Sequence, residues 1–269
     1  MVRWPPPRSR RWGEGVALVD RLIYAIGDIH GRADLLARLL DQIRADFAQR
    51  GTAGERPLVI FLGDYVDRGP HSREVIEILL AFREDPAFEC RFLLGNHEDT
   101  MLDYLDGRIS GLGWSRHGGG ATLQSYGIAP PTAESRTAWS ERREPFRAAV
   151  PASHRAFLES LELMIAVGHV LFVHAGIRPG VALDQQSKRD LLWIRSEFLE
   201  VERSDTWLVV HGHTPKAEAY AGPGRLGLDS GSYVSGKLTA AVFDGDAIAL
   251  IETGRSAPRP FTVRLATAA

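Results

Sequence analysis

The stretch RLIYAIGD, from Arg21 to Asp28, is a short apolar run that ends in a glycine and an aspartate. Such a run predicts a buried strand that leaves its sheet at a turn. The stretch that follows, ADLLARLLDQIRADFA, predicts a helix whose apolar side chains share one face. That face carries Leu35, Leu36, Leu39, Leu40, Ile43 and Phe47.

The same pattern of strand and helix continues along the chain. PLVIFLGD, from Pro57 to Asp64, is a second apolar run that ends in the same Gly-Asp pair. Ser72 is a candidate N-cap for the next helix, and RFLLGN, from Arg91 to Asn96, is a third strand. The order β-α-β-α-β with short links predicts a parallel sheet with right-handed crossovers.

Residues 107–151 break this pattern. They contain HGGG, two adjacent prolines and many polar residues, which predicts an insertion with one or two helices over a cleft. We expect the insertion to govern substrate choice rather than chemistry, with Trp114, Arg116 and Tyr126 as its contact residues. For each of these three residues taken singly, internal packing is an equal alternative.

The strand pattern resumes after the insertion in HVLFVHAG, residues 169–176, and in TWLVVHGHT, residues 206–214. The later stretches RLGLDSG, KLTAAVFDG and AIALIET alternate as short strands and predict a second, antiparallel sheet packed on the first. We therefore expect a single domain over residues 21–255, preceded by a flexible arm over 1–20 and followed by a tail over 256–269.

Composition excludes several classes of protein. The 269 residues are 44% hydrophobic and 25% charged, which is ordinary for a globular protein with a real core. A net charge of −2 gives no sign of nucleic-acid binding, and no apolar run is long enough to span a membrane. The single cysteine, Cys90, and the absence of an apolar signal segment near the N-terminus favour a cytoplasmic location.

Polar side chains follow the ends of the predicted strands. They are Asp28, His30, Asp64, Asp67, Arg68, Asn96, His97, His174, His211 and His213. A Gly-Asp pair alone is more often a turn, and a lone histidine is more often a structural residue. Together, however, carboxylate, amide and imidazole groups at the carboxyl ends of strands predict a site for two divalent metals such as Mn, Fe or Zn. Asp64, on the central strand of the first three, is the natural bridge between them.

Three motifs carry a resemblance to a known family. GDIHG (27–31), GDYVDRG (63–69) and GNHE (95–98) resemble the signature motifs of the phosphoprotein phosphatase family of metallophosphoesterases. The resemblance extends from about residue 22 to residue 251. It implies an α/β fold, a four-layer α-β-β-α sandwich with two central mixed sheets. It also implies two metal ions, with manganese expected and iron or zinc as alternatives.

The same resemblance implies individual roles. One metal would be bound by Asp28, His30 and Asp64, and the other by Asp64, Asn96, His174 and His213. His97 resembles the general acid that protonates the leaving oxygen, and Asp67 would orient it. Arg68 would bind phosphate oxygens through its planar fork. Arg195 resembles a later phosphate-binding arginine, with a solvated helix arginine as the alternative.

Three further residues are interpreted less directly. Glu98 is expected to be a carboxylate at a helix N-terminus rather than a metal ligand. His211 is expected to be a turn residue beside the site. Tyr233 has two equal interpretations, a border of the cleft or a core aromatic.

The substrate is the open question. Many protein phosphatases of this family carry an arginine before GNHE, where this chain has Leu94; bacterial diadenosine tetraphosphatases also tend to lack it. Those relatives usually lack the aspartate that is present here as Asp67, so the sequence favours a bacterial Ser/Thr protein phosphatase acting on phosphoproteins or small phosphoesters. The alternatives are a hydrolase of dinucleoside polyphosphates or other nucleotides, and a metal-binding regulatory module without turnover.

Overall fold

The computed structural model describes residues 17–50, 56–201 and 207–263. The strands are β1 (Ile23–Ile26), β2 (Leu58–Phe61), β3 (Glu89–Phe92), β4 (Met164–Val167), β5 (Val170–Val173), β6 (Leu208–His211), β7 (Tyr220–Gly222), β8 (Arg225–Gly227), β9 (Thr239–Asp244), β10 (Ala247–Glu252) and β11 (Arg259–Pro260). The helices are α1 (Ala33–Arg50), α2 (Ser72–Arg83), α3 (Asn96–Leu105), α4 (Leu112–Ser115), α5 (Gly119–Ser125), α6 (Arg136–Glu141), α7 (Arg143–Ala149), α8 (Ala152–Glu159), α9 (Lys188–Trp193), α10 (Ser196–Leu199) and α11 (Ser232–Ser235).

The strands form two mixed sheets. The first has the order β11-β10-β9-β1-β2-β3, and the second has the order β4-β5-β6-β8-β7. β1, β2 and β3 are parallel, as the repeated strand and helix pattern predicted, and β2 lies between the other two. In the second sheet β5, β6 and β8 are parallel, with an antiparallel strand at each edge.

The alternation of side chains along each strand builds the four layers. Tyr24 and Ile26 of β1 pack against the helices that cover the first sheet, whereas Ile23 and Ala25 pack between the two sheets. On the second sheet, Val173 of β5 packs against its own outer helices. Because successive residues of a strand point to opposite faces, fully apolar strands are what a sheet covered on both faces requires. The α-β-β-α arrangement expected from the sequence is confirmed.

The prediction for the C-terminal strands was wrong in part. β8 joins the second sheet, parallel to β6, but β9 and β10 extend the first sheet antiparallel to β1. Alternating apolar residues show that a strand is half-buried but not which sheet edge it occupies. β2 covers one edge of β1, and β9 pairs with the other, with Ile23 opposite Phe243.

The insertion is more helical than predicted, with α4, α5, α6 and α7 where one or two helices were expected. Trp114 and Tyr126 are buried in the same core as the first sheet, which favours the alternative of internal packing over a role as contact residues. Their rings pack, tilted or edge-on, against other aromatic rings, with the Trp114 ring centre 5.0 Å from that of Tyr104 and 5.8 Å from that of Phe146. Arg116 is exposed, as a contact residue must be.

The boundaries of the chain are described only in part. Residues 1–16 of the expected arm and 264–269 of the expected tail lie outside the described residues. Leu18 and Val19, at the end of that arm, are buried and donate backbone hydrogen bonds to the Gly245 carbonyl. No helix in the described ranges is both long and apolar enough to cross a membrane.

Candidate active site

The structure brings the strand-end residues together. Asp28 and His30 follow β1, Asp64 follows β2, and Asn96 begins α3 just after β3. From the second sheet, His174 follows β5 and His213 follows β6. All six of these side chains are almost completely buried. The six candidate metal ligands therefore meet where the parallel strands of both sheets end.

The backbone at these strand ends is unusual. Among the described residues, the non-glycine residues with positive φ are His30 (48°), Asp64 (53°), Asp67 (72°), Arg68 (68°) and His213 (62°). The left-handed region costs a non-glycine residue of order 1–3 kcal/mol. Because every such residue is a sequence-predicted site residue, the strain lies at the site and points to a function that requires it.

A first cluster of acceptor atoms surrounds His30. Its Nδ1–H donates to the Val66 carbonyl oxygen at 3.0 Å, which leaves a lone pair on Nε2. That Nε2 lies 3.5 Å from Oδ2 of Asp64. Burial lowers the pKa of His30 to about 3, so the ring is neutral near pH 7. His30 Nε2 and Asp64 Oδ2 are therefore two acceptor atoms that face each other, and a cation between them would bind to both.

A second cluster lies on the other side of the Asp64 carboxylate. His174 Nδ1–H donates to the Leu62 carbonyl at 2.8 Å, so its Nε2 is an acceptor. This Nε2 is 3.0 Å from Asn96 Oδ1 and 3.3 Å from Asp64 Oδ1. His213 brings Nδ1 to 2.8 Å from the same Asn96 oxygen. Burial lowers the pKa of both histidines, which again favours the neutral form.

The donor set fits two divalent cations. Asp64 presents Oδ2 to the first cluster and Oδ1 to the second, which is the arrangement of a bridging ligand. Asp28 Oδ1 is buried without a hydrogen-bond partner among the described residues. Buried polar atoms normally have partners, so this unpartnered carboxylate oxygen is further ground for a bound group. Carboxylate, amide and imidazole ligands suit Mn, Fe or Zn.

Asp229 is a member of the site that sequence reasoning missed. It is buried beside Asp28, and burial together with Asp229 and Asp64 raises the pKa of Asp28 well above its usual range. Three buried carboxylates in one place repel one another unless positive charge lies between them. Asp229 sits in the stretch RLGLDSG, which carries no ligand motif, so only the fold reveals its position.

Glu98 holds together the two loops that carry Asp64 and Asn96. Its Oε2 accepts from the backbone N–H groups of Asp64 (2.9 Å) and Gly95 (3.0 Å). Its Oε1 accepts from those of Tyr65 (2.7 Å) and Val66 (3.1 Å). Glu98 lies in the first turn of α3 and accepts the backbone N–H of Gly95, the N-cap residue. The prediction that it is a helix N-terminal carboxylate is confirmed, and it has the added task of fixing the Asp64 loop.

His97 points away from Asn96 toward the cleft. Its Nδ1–H donates to Asp67 Oδ2 at 2.6 Å, and its Nε2 lies 3.8 Å from Asp64 Oδ2. Burial opposes protonation of this ring, but the carboxylates of Asp64 and Asp67 raise its pKa to about 9. The hydrogen bond to Asp67 fixes the ring so that Nε2 faces Asp64 and the Arg68 guanidinium, whose Nη2 lies 3.4 Å away.

The Asp67 carboxylate also accepts hydrogen bonds from residues of the insertion. Trp114 Nε1–H donates to Oδ2 at 2.7 Å, and the Thr122 hydroxyl donates to Oδ1 at 2.5 Å. The Asp67 N–H donates to Ser72 Oγ and Thr122 Oγ1. Ser72 was predicted to be the N-cap of α2, but the N-cap is His71. Ser72 is instead the first residue of the helix and a hydrogen-bond partner of Asp67. Neither Trp114 nor Thr122 lies in a motif, so sequence reasoning missed both contacts.

The two arginines differ in how firmly they are held. Arg68 donates to the Tyr233 hydroxyl at 2.5 Å, and its guanidinium lies 4.6 Å from the centre of that ring. Tyr233 is half-buried and also contacts the His30 ring edge-on at 5.3 Å, so it borders the cleft. Arg195 is exposed and donates to Thr214 Oγ1 at 3.3 Å, one residue beyond His213.

His211 faces away from the cluster. Its Nε2 lies 3.1 Å from the Tyr220 hydroxyl and its Nδ1 is 3.0 Å from the Gly212 carbonyl. His211 is the last residue of β6, so the prediction of a turn residue was wrong.

Two mixed sheets between helices, with buried carboxylate, amide and imidazole ligands at the strand ends, define a metallophosphoesterase. The chain belongs to the calcineurin-like phosphoesterase family, whose model matches residues 21–250. It is therefore a hydrolase, and the alternative of a non-catalytic regulatory module is not supported.

Relatives of two kinds are similar to this chain. A bis(5'-nucleosyl)-tetraphosphatase PrpE [asymmetrical] from Oceanobacillus iheyensis is 26% identical over 241 residues, which covers 81% of this chain and 87% of that protein. The serine/threonine-protein phosphatase BSL2 from Arabidopsis thaliana is 39% identical over 87 residues, only 32% of this chain and 8% of that protein. The nucleotide hydrolase is thus similar over nearly its whole length and the protein phosphatase over a short part.

Solved structures agree on the fold. A putative diadenosine tetraphosphatase has a TM-score of 0.58 at 22% identity and covers 88% of this chain and 98% of its own. A cold-active protein tyrosine phosphatase has a TM-score of 0.57 at 17% identity and covers 90% of this chain and 79% of its own. At these identities the likeness concerns the fold alone.

Proposed function

We propose that this protein hydrolyses dinucleoside polyphosphates at a centre that holds two divalent metal ions. The observation that carries the hydrolytic part is the convergence of unprotonated acceptor atoms on the two sides of Asp64. The nucleotide substrate is supported by the full-length similarity to a bis(5'-nucleosyl)-tetraphosphatase. The sequence alone favoured a Ser/Thr protein phosphatase, and the relatives favour what it gave as the alternative.

Six side chains would hold the metals. Asp28 and His30 would hold one ion, Asn96, His174 and His213 the other, and Asp64 would bridge them. When bound, such a pair lowers the pKa of a shared water toward about 7 and positions the oxygens of the reacting phosphate. We expect manganese, since this mixed oxygen and nitrogen set suits it.

The other residues bind the substrate and move the proton. Arg68 would bind oxygens of the phosphate through its planar fork, with its orientation fixed by Tyr233. As the water oxygen bonds to phosphorus, the bond from phosphorus to the bridging oxygen breaks. His97 would donate its Nε2 proton to that departing oxygen, and Asp67 keeps the ring in place through Nδ1–H. Arg195 is proposed as an outer phosphate contact, since it lies beside Thr214 at the rim.

A phosphoprotein is the second candidate substrate, and the pair of His97 and Asp67 is the observation that favours it. The alkoxide that leaves phosphoserine needs a proton more than a polyphosphate does, so a well-held general acid suits that ester. Against this, Leu94 is buried where many protein phosphatases carry a phosphate-binding arginine.

The experiment compares substrates under one metal condition. Protein stripped with chelator and reloaded with Mn²⁺ is assayed on diadenosine tetraphosphate, a phosphoserine peptide and nitrophenyl phosphate, with product chromatography for the dinucleotide. We expect a kcat/KM on the dinucleotide at least about tenfold above that on the peptide, and loss of both activities in stripped protein. A preference for the peptide would favour the second candidate. Full activity of verified metal-free protein would overturn the metal centre itself.

A further inference from the structure

A cavity of about 650 Å³ adjoins the site on the side of the insertion. His117 and Trp193 line it, and their ring centres are 5.9 Å apart. The His117 ring lies 6.1 Å from that of His97, and the Trp193 ring lies 6.0 Å from that of His213. Two residues of the cavity lining therefore lie against the rings of His97, the proposed proton donor, and of His213, a proposed metal ligand.

The lining of this cavity is aromatic and cationic. Trp193 is 39% exposed, which is rare for an indole in this structure, where Trp114 and Trp139 are buried. Arg116 and Arg136 also line the cavity, and neither guanidinium forms an ion pair or a hydrogen bond with another described residue. An exposed aromatic face suits stacking against a nucleobase, and an unpaired guanidinium suits a phosphate.

We propose that this cavity binds the distal nucleoside of a dinucleoside polyphosphate, with its base against Trp193 and His117 and its phosphates on Arg116 and Arg136. The volume lies in the range of pockets that hold ligands of this size. This inference rests on the proposed function, because it names the part of the substrate that remains outside the metal centre. The insertion then contributes to specificity through Arg116 and His117 rather than through the buried Trp114.

The test compares a substrate that fills the cavity with one that does not reach it. We expect the double variant Arg116→Ala/Arg136→Ala, and separately Trp193→Leu, to lower kcat/KM on diadenosine tetraphosphate at least about tenfold more than on nitrophenyl phosphate. The fall should lie in KM, with metal content unchanged. Arg38→Ala, an exposed arginine on α1, is the matched control and should change neither substrate.

The outcomes separate this inference from the function. If the wild-type protein cleaves the dinucleotide but kcat/KM falls equally on the two substrates in both variants, the cavity proposal is overturned and the proposed function stands. If the wild-type protein prefers the phosphoserine peptide and the variants selectively lose peptide turnover, the cavity serves a peptide and the nucleoside assignment is overturned. Direct titration with ATP provides a readout that needs no turnover: weaker binding to the variants supports the cavity, and equal binding overturns it.

A second inference stands on a different observation: both oxygens of the Asp67 carboxylate accept hydrogen bonds from side chains. Its Oδ2 accepts from His97 and from Trp114 Nε1, and its Oδ1 accepts from the Thr122 hydroxyl. The Asp67 side chain is completely buried, so these donors replace water. A carboxylate with only the His97 contact would be free to rotate, and the imidazole would rotate with it.

We infer that Trp114 and Thr122 are positioning residues for proton donation by His97. They act through Asp67 and do not touch the substrate. The insertion, which the sequence assigned to substrate choice alone, therefore also supports the chemistry. This inference rests on the proposed role of His97.

The test removes single donors while keeping shape. Trp114→Phe and Thr122→Val should lower kcat about 3- to 30-fold on an alkyl phosphate and clearly less on nitrophenyl phosphate, whose leaving group needs no proton. Thr122→Ser keeps the hydroxyl and should restore the alkyl activity. Trp139→Phe is the matched control, because Trp139 is buried in the same aromatic cluster, 6.4 Å from Trp114, without contacting Asp67.

Comparison with His97→Ala separates two failures. If His97→Ala lowers kcat equally on the alkyl phosphate and on nitrophenyl phosphate, His97 is not the proton donor, and this inference is overturned as well. If His97→Ala depends on the leaving group while Trp114→Phe and Thr122→Val behave like Trp139→Phe, the role of His97 stands and the positioning inference is overturned.

Discussion

Replacing Glu98 with glutamine should damage both stability and metal binding, although Glu98 is not a proposed metal ligand. The carboxylate accepts four backbone N–H groups, two on each oxygen. These donors belong to the loop that carries Asp64 and to Gly95, next to Asn96. The substitution keeps the shape of the side chain but replaces one acceptor oxygen with an NH₂ donor.

The magnitude follows from the hydrogen bonds that the amide cannot make. The amide oxygen of glutamine can still accept from two of the N–H groups. Its NH₂ group faces the other two, and because both sides are then donors, no hydrogen bond forms there. Each lost bond to a charged group costs roughly 1.5–3 kcal/mol, or about 3–6 kcal/mol for two. Burial and the Asp64 carboxylate raise the pKa of Glu98, so removing its charge returns part of this loss. We expect a net fall of about 3 kcal/mol in the free energy of unfolding.

Urea unfolding of metal-free protein measures that stability, and calorimetric titration with Mn²⁺ measures metal affinity. We expect weaker binding at both sites, since Asp64 bridges them. Glu77→Gln is the matched control: Glu77 is exposed and pairs with Arg73 on the surface of α2, so its loss should cost less than about 1 kcal/mol. A Glu98→Gln protein within 1 kcal/mol of wild type, with unchanged Mn²⁺ affinity, would refute this account of how the loops are held.

Three other substitutions test the site. Asp64→Asn weakens the bridge, so metal content should fall at both positions and turnover should drop more than about 100-fold; near wild-type turnover would show that Asp64 is not the bridge. His97→Ala should lose about 10²–10⁴-fold on an alkyl phosphate and less on nitrophenyl phosphate with metals retained, and equal losses would argue for a purely electrostatic role. Gly212→Ala places a Cβ 1.9 Å from Asp28 Oδ1 and should abolish metal loading by calorimetry, whereas Gly120→Ala in α5, whose Cβ would come no closer than 3.5 Å to Pro130, should not.

The sequence predicted the site better than the architecture around it. The six proposed ligands follow strands whose apolar runs end abruptly, and parallel strands place those ends together, so their proximity follows from local patterns. The position of β9 at the edge of the first sheet cannot be predicted from such local patterns. A strand of alternating apolar residues fits the open edge of any sheet that is buried on one face. Asp229, Trp114 and Thr122 were missed for a similar reason: each meets its partner across a long stretch of chain, and none belongs to a motif.

Backbone conformation explains why short motifs define this site. The motifs are rich in glycine and aspartate, and the fold holds His30, Asp64, Asp67, Arg68 and His213 in the left-handed region. A built Cβ on Gly95 would lie 2.2 Å from Asp64 Oδ1, so the neighbouring loops touch backbone to side chain. Close approach and unusual φ angles restrict the choice of residue at these positions, which makes the motifs readable in the sequence.

The insertion joins two tasks in one short segment. Trp114, in α4, donates to the Asp67 carboxylate, while Arg116 and His117, two and three residues further on, line the cavity beside the metal ligands. Gly118, next in the chain, accepts a backbone hydrogen bond from Arg68. A substrate bound in the cavity as proposed would contact the same turn that holds Asp67 and Arg68, the residues proposed to orient His97 and to bind phosphate. Shortening this insertion should consequently change both KM and kcat.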